Sequence, residues 1–192
     1  QKEIFEQPSA IADTLEGRLA HGELHLASFR PELLAALKRT RQLHIVACGT
    51  SYHAGLVMKY HFEQNAIPTS VEYASEYLYR DIAVPPDTLF ICLSQSGETA
   101  DTLAALEKAK KDGRYHDNLA ALAREHLQTF DHLPRILQHI LTLEPAIARA
   151  AKALEHRHGC LYLGRGENYA IAAEGALKLK ELTYIHAEAH PA

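Results

Sequence analysis

The chain has 192 residues, a hydrophobic fraction of 47% and a formal net charge of −4, which suits one domain, or one domain and part of another, around a buried core. No apolar run is long enough for a membrane-spanning helix, and mild acidity without a basic tract argues against nucleic acid as a partner. Gln1 to Ala10 lacks the basic-then-apolar pattern of a secretory signal.

In chain order, Gln1 to Ala20 reads as an extended lead followed by a helix, with Ile11, Leu15 and Leu19 at four-residue spacing after Pro8. Pro31 to Arg39 reads as a helix with proline in its first turn. Leu43 to Cys48 is a short apolar strand that ends in Gly49-Thr50-Ser51, and a helical pattern follows from Tyr52 to Asn65. Thr69 to Tyr73 is a second strand, Ser75 to Tyr79 a turn or short helix, and Pro85-Pro86 a loop. Thr88 to Leu93 is a third strand, ending in Ser94-Gln95-Ser96-Gly97, before a helix from about Thr99 to Lys111. Apolar strands alternating with helices predict an α/β fold with a parallel sheet. From Leu119 to His158 the apolar positions recur at helical spacing, and Pro134 and Pro145 are expected to divide the stretch into two or three helices. Cys160 to Leu163 is then a strand, Gly164-Arg165-Gly166 a turn, and Tyr169 to Thr183 a helix. This second strand–glycine turn–helix unit suggests an internal repeat of the Cys48–Tyr52 unit.

Three cysteines, Cys48, Cys92 and Cys160, give an odd count without paired spacing, so buried free thiols in a reducing cytoplasm are expected. The thirteen histidines are scattered, and no metal site is expected. His186 and His190, with Glu188 between them, are read as structural or loop residues.

Two features carry chemistry. The turns at Thr50-Ser51 and at Ser94, Gln95, Ser96 and Thr99 each follow the carboxyl end of a predicted parallel strand and precede a helix. Ligands of open α/β sheets bind at those strand ends, and a helix N-terminus offers free N–H groups and partial positive charge to an anion. Plain helix capping would need one hydroxyl at a turn, and the second turn carries three. Neither turn is a nucleotide-binding motif. The second feature is Glu174, Lys178 and Glu181, which share one face of a predicted helix. An exposed charged face is the ordinary reading of such spacing. Here, Gly175 and the small residues at 170, 172, 173 and 176 would let something pack closely. A carboxylate can shuttle a proton between adjacent carbons, and an ammonium can stabilise an oxyanion.

The turns Ala47-Cys48-Gly49-Thr50-Ser51-Tyr52 and Ser94-Gln95-Ser96-Gly97-Glu98-Thr99 resemble the phosphate-binding turns of the sugar isomerase (SIS) fold. The opening Lys2 to Pro8, the run Leu163 to Glu181, and Ile185 to Ala189 are similar to the isomerase portion of the glutamine–fructose-6-phosphate aminotransferase, or glucosamine-6-phosphate synthase, family. The resemblance covers nearly the whole chain, apart from a weak stretch between about Tyr115 and Leu137. It implies an SIS-type doubly wound parallel sheet flanked by helices, incomplete, over residues 1–142, with a linking helix and the start of a second SIS domain over 143–192. It implies that Thr50, Ser51, Ser94, Gln95, Ser96 and Thr99 hold the phosphate of fructose 6-phosphate, and that Glu181 is the base moving a proton from C1 to C2. Lys178 would assist at the sugar oxygens, and Glu174 would lie beside them. The resemblance further implies glucosamine 6-phosphate as product, no cofactor, a cytoplasmic homodimer and a glutaminase domain in the full-length protein.

The chain departs from the family in three ways. It carries no glutaminase half, and it stops before a histidine and a C-terminal lysine that the family's site also uses. It is also short by two strands near residues 118–124, where Leu119 to Ala123 is the one candidate remnant strand. The gap is either a deletion or a stretch outside these 192 residues; a sheet lacking two strands would expose an apolar edge, which favours the second. On this reading the chain alone is inactive. A competing reading is a non-catalytic SIS sugar-phosphate sensor, which would keep the serine turns without needing the Glu174-Lys178-Glu181 face. A third is a truncated fragment that binds nothing well.

Overall fold

The computed structural model describes residues 2–20, 23–25, 31–113, 115 and 124–192. In chain order the elements are α1 (Lys2–Leu15), β1 (Leu19–Ala20), β2 (Glu23–Leu24), α2 (Pro31–Arg39), β3 (Gln42–Ala47), α3 (Gly49–Gln64), β4 (Thr69–Tyr73), α4 (Ala74–Leu78), β5 (Thr88–Leu93), α5 (Ala100–Asp112), α6 (Arg124–Leu141), α7 (Glu144–Leu154), β6 (Gly159–Gly164), α8 (Glu167–Thr183) and β7 (His186–Pro191). They pack as two units, Gln1–Leu34 with Ala120–Arg157, and Ala35–Leu119 with His158–Ala192. Each unit draws on both sides of position 142.

In the first unit, α1 packs against α6. Two expectations are corrected here. The lead is helical from Lys2, with Pro8 inside α1, and α6 runs through Pro134 without dividing there. A proline inside a helix forfeits one backbone hydrogen bond. Pro8 is the buried residue of α1, and the contact between α1 and α6 holds both helices together against that loss. Pro145 does mark a break, since it stands in the first turn of α7. Leu19 leaves the helical pattern and pairs with Leu24 in an antiparallel β1–β2 ladder.

The second unit holds the α/β core. Among its described residues, β4, β3 and β5 form a parallel sheet in the order β4-β3-β5. Side chains on successive strand residues point to opposite faces, and both faces here are apolar. Leu43, Ile45, Leu89 and Ile91 pack with Leu37 of α2 and with Met58 and Phe62 of α3. Val46 packs on the other side with Ala74 and Tyr77 of α4 and with Ala105 and Ala109 of α5. Helices on both faces of a parallel sheet make the doubly wound arrangement that the alternating sequence predicts. The expected gap near 118–124, including Leu119 to Ala123, lies outside the described residues.

The repeat unit forms β6 and α8. The chain end corrects a further expectation, because His186–Pro191 is a strand, parallel to β6 from Gly159↔His186 to Gly164↔Pro191. Its period of two is visible in the sequence, where Ala187 and Ala189 alternate with His186, Glu188 and His190. Ala187 is fully buried. The cysteines are free as expected, but half-buried where burial was expected. Burial pushes the Cys92 thiol up to about 11, so it stays protonated at neutral pH.

Candidate functional site

The chain leaves β3 for β4 on one side and crosses back to β5 on the other. The crevice between the carboxyl ends of β3 and β5 is therefore a topological switch point, where doubly wound sheets bind ligands. Ala47 pairs with Leu93 at the last rung. The turns that follow, Cys48 to Ser51 and Ser94 to Thr99, thus leave the sheet side by side. Each opens a helix whose first N–H groups have no partner within the helix itself.

The second turn is built so that its hydroxyl hydrogens stay available. Gly97 N–H donates to Ser94 Oγ at 3.0 Å, and Glu98 N–H donates to Ser96 Oγ at 3.1 Å. Both serines act as acceptors in these bonds and keep their O–H hydrogens to donate. Thr99 Oγ1 lies 3.5 Å from Ser94 Oγ. Thr99 is the N-cap residue of α5 yet makes no side-chain capping bond, so ordinary capping does not account for it. Gly97 takes a left-handed φ of 71°, which costs glycine little and lets the turn fold back on Ser94. Gln95 is exposed in this turn, and Ser51 is half-buried on the first turn of α3.

The charged face lies on α8, which packs across α3 within the same unit. Lys178 Nζ is 2.6 Å from Glu181 Oε2 and 3.7 Å from Glu174 Oε1. Thr50 Oγ1 donates to Glu174 Oε1 at 2.9 Å, and His53 Nδ1 lies 2.8 Å from Glu174 Oε2. Partial burial pushes the Glu174 carboxyl up, but hydrogen bonds from His53 and Thr50 and the charge of Lys178 outweigh it, leaving the group below the usual carboxylate range. Lys178 is held above its ordinary range, first by its hydrogen bond to Glu181 and then by the charge of both carboxylates. It stays an ammonium, able to donate to an oxygen and unable to act as a free amine. At the foot of α3, the Tyr52 ring stacks on Tyr73 of β4 with centroids 3.8 Å apart, fixing the first turn against the sheet.

The structure thus brings Glu174, Lys178 and Glu181 onto one face, as the spacing predicts, and sets Thr50 against them. Ser94, Ser96 and Thr99 gather in the neighbouring turn. His53 went unnoticed in the sequence. Its signal was the three-residue spacing from Thr50, which puts both on one face of α3. His186 and His190 each reach Glu188, at 3.3 and 3.2 Å. Among the described residues no group of three or more His, Cys, Asp or Glu side chains is arranged to hold a metal ion.

The SIS domain model matches residues 36–124. The C-terminal domain of glucosamine-fructose-6-phosphate aminotransferase from Francisella tularensis superposes with a TM-score of 0.89 at 34% identity, over 99% of this chain and 69% of that one. This chain belongs to the SIS family, in the branch of those C-terminal domains. The glutamine–fructose-6-phosphate aminotransferase [isomerizing] of Yersinia pseudotuberculosis is 40% identical across all of this SIS chain, which spans 41% of the relative's length. That alignment runs over 248 positions against 192 residues. At least 56 of those positions (248 less 192) therefore have no counterpart here. A tagatose-6-phosphate ketose/aldose isomerase from Escherichia coli shares the fold, with a TM-score of 0.72 at 20% identity over 98% of this chain and 66% of that one. No helix among the described residues is long and apolar enough to cross a membrane.

Proposed function

We propose that this SIS domain binds the phosphate of fructose 6-phosphate at the switch point and carries the isomerase chemistry of glucosamine 6-phosphate formation. The observation that carries the reading is the Glu174, Lys178 and Glu181 face, set against the first turn of α3 within the unit that holds both hydroxyl turns. Ser94, Ser96 and Thr99 would donate hydroxyl hydrogens to the phosphate, with Ser51 and Gln95 at its rim. Thr50 gives its single hydroxyl hydrogen to Glu174, so its share would be a main-chain N–H at the start of α3.

Ammonia adds to the C2 carbonyl, and loss of water leaves an imine. Glu181 takes a proton from C1, the C–H electron pair becomes the C1=C2 double bond, and the imine nitrogen gains a proton. Glu181 then returns a proton to C2 while the C1 hydroxyl gives up its own and becomes the aldehyde. Lys178, kept charged by its two carboxylates, donates to the sugar oxygen where negative charge develops. The steps use no cofactor. Ammonia would come from a glutaminase domain of the full-length protein, working as a cytoplasmic homodimer.

Titration of the full-length protein with fructose 6-phosphate in D2O tests this. Expected are binding, a loss of about tenfold in affinity for Ser96→Ala, and deuterium entry at C1 that Glu181→Gln abolishes without loss of binding. No binding would overturn the reading. Binding without exchange would favour a sensor module, and exchange indifferent to Glu181→Gln would overturn the role of Glu181.

A further inference from the structure

We propose that His53 is a positioning residue for the α8 face, acting through Glu174; the proposal rests on the proton-transfer reading above. Four groups face Glu174: Thr50 and His53 from α3, and Lys178 with Glu181 beyond it from α8. Each oxygen of Glu174 has its own partner on α3, Thr50 on Oε1 and His53 on Oε2. Two bonds from one rigid helix fix both the place and the rotation of the carboxylate. A single bond would leave it free to swing.

The side chain of His53 is 12% exposed and that of Glu174 26% exposed, so water competes weakly for the bond between them. A carboxylate only accepts, so Nδ1 must carry the hydrogen and donate. Glu174 in turn sits on one side of the Lys178 ammonium, with Glu181 on the other. Without the anchor on Oε2, Glu174 can turn toward Lys178 and draw it from Glu181. The proposed base would then lose the ammonium that sets its position. His53 acts along the route through Glu174 and Lys178 to Glu181 and makes no contact with substrate.

The test uses the full-length protein with two variants. In His53→Asn, the amide Nδ2 stands where Nδ1 stood and can still donate; His53→Leu keeps bulk and removes the donor. Three quantities are read by NMR: the titration midpoint of the Glu174 carboxyl carbon, deuterium entry at C1 of fructose 6-phosphate, and affinity for that sugar phosphate. His53→Leu is expected to raise the Glu174 midpoint and to slow exchange about tenfold to a hundredfold, with affinity within about twofold. His53→Asn is expected to restore both midpoint and exchange. An unchanged midpoint in the Leu variant overturns the proposal, as does failure of the Asn variant to restore what the Leu variant loses. The nitrogen shifts of the wild-type His53 ring give a reading without any variant. A ring with its hydrogen on Nε2 and a bare Nδ1 overturns the proposal even if His53→Leu does not fold. If the wild-type chain shows no exchange, the proton-transfer reading fails, while midpoint and ring shifts still decide whether His53 positions Glu174.

Discussion

Glu174 is held at both oxygens from one helix, while His44 shows the opposite use of a histidine and a carboxylate. His44 is buried on β3, with Nε2 3.1 Å from Glu72 Oε2 and Nδ1 3.0 Å from the Tyr115 hydroxyl. The rings of Tyr77 and Phe90 meet it edge-on. Burial lowers its pKa below the usual 6.5, and the bond to Glu72 only partly offsets that. The folded state thus resists protonation at a pH where the unfolded chain accepts it. Below about pH 6.5 the unfolded state binds more protons, so stability falls with acidification and is regained as pH rises. Thermal midpoints measured between pH 7 and 5 are expected to drop for the wild type, and His44→Gln is expected to flatten that drop. A drop of equal size in the variant would assign the acid sensitivity elsewhere.

Two elements depend on single close approaches. On α8, a Cβ at Gly175 would stand 2.7 Å from Cε1 of Tyr162 on β6. The small residues Ala170, Ala172 and Ala176 are buried on the same helix. The close packing expected from those small residues is therefore against the protein itself, in part against an aromatic ring. Gly175→Ala is expected to cost about 1–3 kcal/mol by overpacking, even though alanine favours the helix; urea unfolding measures the sign directly. On α5, Lys108 Nζ donates to the carbonyl oxygens of Tyr77, Leu78 and Arg80 at 3.0, 3.2 and 2.6 Å. It closes the carboxyl end of α4. Lys108→Met keeps the stem and removes the donors, with an expected loss of about 1–3 kcal/mol, visible as faster hydrogen exchange in residues 74–80.

At the scale of the molecule, the second unit has two sheets among its described residues, one of β4-β3-β5 and one of β6-β7. Leu161 and Leu163 point to the same side of β6 and are 66% and 65% exposed. Two strands alone seldom bury enough to be stable in water, and exposed apolar surface of this kind promotes association. The 192-residue chain is expected to bind a hydrophobic dye and to associate as concentration rises in sedimentation experiments. Leu161→Thr with Leu163→Thr is expected to reduce both. Unchanged association in that pair would place the contact on another surface.

What the residues settle alone is local. The strands Thr69–Tyr73 and Thr88–Leu93 and the helix Pro31–Arg39 coincide with their observed bounds, because apolar runs flanked by turns and prolines are dictated by neighbours in sequence. The shared face of Glu174, Lys178 and Glu181 follows from helical spacing, and it too was legible. Pro8 and Pro134 were misread because a proline's cost is weighed against packing that lies far away in sequence. β7 was missed because a six-residue alternation of alanine with His and Glu is a weak pattern until β6 lies beside it. Thr50 and His53 meet Glu174 across 124 and 121 positions. Sequence put donors on one helix and a carboxylate on another, and only the packing of α3 against α8 made them a bonded group.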